Sequence, residues 1–139
     1  MQHFRSIVFL AGALTCFLGL NVDAILGAAD SGATQTQAGG GVTVKVTYLN
    51  PASADEAQFS VVFDTHSVNL DQYDFKAISV LRDDKGKSYQ PTKAESKGSG
   101  HHREAVLNFP KLDPEAKRVD LVIKEVAGVK ERVLRWELR

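Results

Sequence analysis

The stretch Val42-Thr43-Val44-Lys45-Val46-Thr47-Tyr48 decides the fold class. Its apolar residues recur at every second position, between threonines and a lysine. Only an extended strand, whose side chains alternate between two faces, gathers Val42, Val44, Val46 and Tyr48 on one side. The β-branched valines and threonines are stiff at χ1 and suit a pleated surface better than a helix.

The same period of two recurs outward from this stretch. Residues 57–65 carry Phe59, Val61 and Phe63 on one face, and residues 75–82 predict a strand centred on Ile78 and Val80. Residues 88–92 predict a short strand whose Pro91 suits a sheet edge. Ala105, Leu107 and Phe109 share a face of a fifth strand, and Val119, Leu121 and Ile123 alternate with Asp120, Val122 and Lys124 in a sixth. In the last strand Leu134, Trp136 and Leu138 face in, against Val133, Arg135 and Glu137. Turn signals separate them: Asn50-Pro51, Asp83-Asp84-Lys85-Gly86, Lys97-Gly98-Ser99-Gly100, Asp113-Pro114 and Ala127-Gly128. Residues 113–117 suit at most one helical turn. The pattern predicts an all-β fold, an immunoglobulin-like antiparallel sandwich of about seven strands over residues 42–139. A Greek-key barrel is the alternative.

Two segments precede that domain. Residues 1–24 have the order of a secretory signal peptide: Arg5, then an apolar run from Ile7 to Leu20, then Val22-Asp23-Ala24. Residues 25–41 hold almost no large apolar side chain and end in Gly39-Gly40-Gly41, which predicts a flexible, disordered tether. The expectation is an exported protein, periplasmic or extracellular. It would meet a membrane only through an uncleaved leader or a lipidated Cys16.

Charge narrows the partners. The 139 residues hold 17 Lys and Arg against 17 Asp and Glu. That balance argues against a nucleic-acid partner, which favours a basic stripe. Cys16 is the only cysteine and lies in the leader, so the domain has no disulfide, no thiolate nucleophile and no cysteine metal knuckle.

The candidate chemistry lies in two segments, Asp64-Thr65-His66-Ser67 and Lys97-Gly98-Ser99-Gly100-His101-His102-Arg103-Glu104. His66 leaves the second expected strand and His101-His102 enters the fifth. Two strand crossings between them return the chain to the same pole of a sandwich, where the turn near Ala127–Lys130 also belongs. The candidate metal ligands are therefore His66, His101, His102 and Asp64, with Asp71 or Asp74 nearby. Imidazole with carboxylate suits Cu(II) or Zn(II). On a continuous strand His101 and His102 would point to opposite faces, a limit that a loop conformation would relax. Against this stands an interaction surface of an envelope protein with no metal. The acidic residues Asp64, Asp71, Asp74, Asp83 and Asp84 read as solvated turn carboxylates, with Asp71 and Asp74 as a weaker Ca²⁺ suggestion. The charges from Arg118 to Arg139, Arg132 among them, read as a solvated face. There is no Gly-x-Ser-x-Gly elbow and no phosphate loop, so a non-enzymatic binding module is expected.

Ser99-Gly100-His101-His102-Arg103-Glu104-Ala105-Val106-Leu107-Asn108-Phe109 resembles the late-strand segment of periplasmic copper-resistance domains, which runs Asp-Gly-His, then Gly, then a Phe-containing strand. The resemblance implies an exported immunoglobulin-like sandwich whose Cu(II) is held by an amino-terminal His and an Asp-x-His motif. His101 matches the motif histidine; Ser99 stands at its aspartate and Ala105 at its later glycine. Asp64-Thr65-His66 reads Asp-x-His in a different strand.

Overall fold

Alternation along the chain becomes two antiparallel sheets in the computed structural model, which describes residues 34–138 apart from 52 and 54. The expected leader, with Cys16, and the first part of the expected tether lie outside the described residues. The strands are β1 (Thr34–Gly39), β2 (Val42–Tyr48), β3 (Ala57–Thr65), β4 (Ser79–Asp83), β5 (Ser88–Tyr89), β6 (Lys93–Ser99), β7 (His102–Phe109), β8 (Arg118–Val126) and β9 (Val129–Glu137). One sheet has the order β1-β2-β3-β7-β6, the other β5-β4-β8-β9. The all-β expectation holds, in a sandwich-like arrangement.

The core follows the period of two. Val42, Val44 and Val46, then Phe59, Val61 and Phe63, then Leu107 and Phe109 face Val119, Leu121, Ile123, Leu134 and Trp136, all buried. Fully burying side chains of this size stabilises by roughly 1.5–3 kcal/mol each before the entropy of ordering is counted. Trp136 anchors one end, with Tyr48 and Phe59 stacked at 4.3 Å and the indole 5.2 Å from Phe59. Phe63 and Phe75, 4.7 Å apart, fill the other end.

Several boundaries differ from expectation. The tether expected over 25–41 gives up its last part: Thr34–Gly39 form β1, paired in register with β2. No large apolar side chain drives this strand. Its backbone ladder and two glutamine amides hold it, and a reading based on apolar burial overlooks such interactions. The strand expected over 75–82 begins as a short helix α1 (Phe75–Ile78), because the Asp74 side chain caps the Lys76 N–H. The strand expected over 88–92 shrinks to β5. β6 (Lys-Ala-Glu-Ser-Lys-Gly-Ser) was not expected, since it has neither large apolar nor β-branched residues; it forms by pairing with β7 across the Gly100-His101 turn. Gly98, at φ 85°, is required there, because a Cβ would lie 2.4 Å from the His102 carbonyl oxygen. Residues 113–117 form a turn closed by Ala116 N–H on Asp113 O, not a helix.

Candidate functional site

The two histidine segments meet because β3 and β7 are direct antiparallel neighbours, with Asp64 opposite His102. β4 and β6 are the two full crossings that return the chain to this pole, and β5 is a stub. The Thr65 N–H donates to His101 O at 3.0 Å and the Leu70 N–H to Gly100 O at 2.9 Å, stitching the segments together.

Of the expected ligands, the structure brings two into contact. His102 Nδ1 lies in hydrogen-bonding contact with Asp64 Oδ1, both on the outer face of the five-stranded sheet and more than half exposed. His101 occupies the turn and His66 the bend after β3, both exposed. Among the described residues no group of three or more His, Cys, Asp or Glu side chains gathers closely enough to hold a metal ion. The four expected ligands therefore share a pole without converging on one point. His101 is held in the turn by its backbone, whereas His102 lies on the strand.

The acidic residues are not simply solvated. Asp71 Oδ1 accepts the Gly100 N–H at 2.9 Å and Asp74 Oδ1 the Lys76 N–H at 2.9 Å, so Asp71 ties its loop to the β6–β7 turn and Asp74 caps α1. Asp83 is buried. Burial alone would raise its carboxyl. Bonds from the Lys87 N–H, the Tyr89 hydroxyl and the Lys85 N–H outweigh that and hold it below the usual carboxylate range. Tyr89 oxygen also accepts the Asp113 N–H at 3.0 Å, tying the β4–β5 turn to the β7–β8 connection.

The largest departure is Arg132. It is only 2% exposed, and its guanidinium donates to Val126 O at 2.9 Å and Gly39 O at 2.6 Å. Desolvation lowers its pKa from the usual value. The bonds join the β1–β2 turn to the β8–β9 turn beneath the histidines. Gly40 packs so tightly on the second turn that a Cβ would lie 2.0 Å from Ala127 O. The Ala127 N–H donates to the Tyr73 hydroxyl at 2.9 Å, and Thr65 Oγ1 donates to Gly41 O at 2.7 Å. Arg103 donates to Leu70 O and Tyr73 O, with its guanidinium 5.0 Å above the Phe75 ring. Every connection at this pole is thereby bonded to another. The sequence did carry a signal for Arg132: it shares the inward parity of Leu134 and Trp136.

Comparison with protein-family models, curated proteins and solved structures returns no match.

Proposed function

We propose that this chain is an exported, non-enzymatic binding module of immunoglobulin-like type, and that it holds a protein partner of the cell envelope at the pole bearing Asp64, His66, His101 and His102. One observation carries the reading: the loops of this pole are cross-linked by buried and backbone hydrogen bonds while their imidazoles stand in solvent. A surface ordered before contact loses little entropy on binding, so the same contacts yield more affinity. The exposure of Asp64 and His102, at 51% and 60% of their side chains, suits contact better than proton transfer in an enclosed site. The immunoglobulin-like assignment is supported by strand order. With β2 taken as strand A, the sheets read A-B-E-D and C′-C-F-G, and β1 is an addition before A. Export is supported by the order of residues 1–24.

The test compares the immobilised protein with a His66→Ala, His101→Ala, His102→Ala variant in envelope extract. The expected result is a discrete partner that the variant loses while its melting temperature is unchanged. Equal retention by both proteins would remove the pole as the contact surface.

The Asp64–His102 contact favours a second reading. With its proton on Nδ1 facing the carboxylate, His102 is oriented to offer Nε2 to Cu(II) or Zn(II), and Asp64 acts as the outer partner that fixes the ring. Calorimetric titration of either ion should then show saturable binding that His102→Ala abolishes. Binding indifferent to that substitution would dispose of the idea.

A further inference from the structure

We infer that two copies of this chain join edge to edge through β6, zipping antiparallel about Ser96 into one continuous sheet. This surface is the free edge of β6, and the inference does not depend on the partner proposed for the histidine pole.

The edge is open. β6 ends the five-stranded sheet, and all its residues except the half-buried Ala94 are exposed. The backbone phase is fixed by one bond. Because the Thr65 N–H donates to His101 O, the odd-numbered residues of β7 turn their peptide groups toward β3. Successive residues of a strand alternate in this respect, so His102, Glu104 and Val106 turn theirs toward β6. Their register partners Ser99, Lys97 and Glu95 are therefore engaged. The peptide groups of Ala94, Ser96 and Gly98 point outward, ready to pair.

The side chains choose the register. Centred on Ser96, the pairing sets Glu95 opposite Lys97 of the second copy, and Lys97 opposite its Glu95. Small Ala94 and Gly98 face each other in the hydrogen-bonded pairs. A slip of two residues either way sets Glu95 on Glu95 or Lys97 on Lys97, and like charges directly opposite are destabilising. A slip of one residue mismatches the peptide groups. Within each copy Lys97 Nζ already lies 2.6 Å from Glu104. The pairing thus extends a row in which Glu104, Lys97 and the second copy's Glu95 alternate in sign. An antiparallel pairing of identical strands is isologous and closes at two. Growth into fibres is disfavoured because Gln35 and Gln37 tie β1, the sheet's other edge, to β9.

Sedimentation equilibrium of the purified protein tests this. The expected result is a concentration-dependent dimer that weakens as salt rises. Glu95→Lys and Lys97→Glu should each yield monomer, and the two combined should restore the dimer, because the opposite charges are exchanged. Ser96→Pro should also yield monomer with a near-normal melting temperature, since the lost N–H points away from β7. A natural protein that stays monomeric at every concentration would overturn the inference. A dimer that survives all three single substitutions would do so too, and failure of the combined charge exchange would overturn the Ser96 register.

Discussion

Arg132 sits where the inward parity of β9 would ordinarily place a leucine or valine, and its guanidinium donates to the carbonyl oxygens of Val126 and Gly39 at two hairpin ends. Charged side chains are almost never fully buried without partners; here the partners are carbonyl oxygens of two different sheets. Arg132→Ala should cost about 2–4 kcal/mol in urea unfolding, because it opens space and removes both guanidinium bonds. Arg132→Met refills the volume of the stem and should cost about 1–3 kcal/mol, the share owed to the lost guanidinium bonds. If both variants fall within about 0.5 kcal/mol of the natural protein, the guanidinium does not staple the turns. Asp83 is the corresponding case for an acid. Asp83→Asn cannot accept from both flanking amides and the Tyr89 hydroxyl at once, so neutral-pH stability should fall by about 1–2 kcal/mol on the same measurement.

β1 shows how an element can form with no apolar face. Gln35 accepts the Arg135 N–H at 3.0 Å and donates its amide to Arg135 O, so its side chain imitates a peptide group across the gap between sheets. Gln37 donates to Val133 O at 2.5 Å. These bonds satisfy part of β9, which would otherwise be a bare edge inviting another chain. Replacing both glutamines by alanine should lower stability by about 1–2 kcal/mol. Hydrogen exchange should report a local event: amides of β1 and of the outer side of β9 lose protection while β3 and β8 keep theirs. Uniform loss across both sheets would mean that β1 is integral to global unfolding.

The whole molecule carries its pH limits in a few carboxylates and phenols. Asp120 is held below the ordinary range chiefly by the Arg135 guanidinium, bonded at 2.7 and 2.9 Å, and Asp83 by its hydrogen bonds. A carboxyl whose pKa is lower folded than unfolded stabilises the fold fully above the unfolded value, about 3.9, and less as pH falls through the folded one. Tyr48 and Tyr89 are raised by burial, so the stability they contribute is present below about pH 10 and fades above it. Thermal melting should therefore show a plateau between these limits. Combining Asp83→Asn with Asp120→Asn should flatten the acid limb and leave the alkaline limb in place. An unchanged acid limb would assign acid unfolding to other groups.

At the same scale, the sequence by itself determined the main inward faces of β2, β3, β7, β8 and β9, because a two-residue period allows one burial pattern and most of their apolar residues keep to it; Val122, buried at the opposite parity of β8, departs from it. It also raised the meeting of the His66 and His101-His102 segments at one pole, but on a crossing expected over residues 88–92, whereas the strand that returns the chain is β6. Only the tertiary structure decided the rest. β6 and β1 exist through ladders supplied by neighbours, which no local propensity encodes. The helical start at Phe75 turns on one capping carboxylate. The separation of His66 and His101 from the Asp64–His102 pair depends on turn geometry at the level of single side chains. Arg132 lies inward because two distant turns offer it carbonyl oxygens, and long-range hydrogen bonds of that kind leave only a parity mark in the chain.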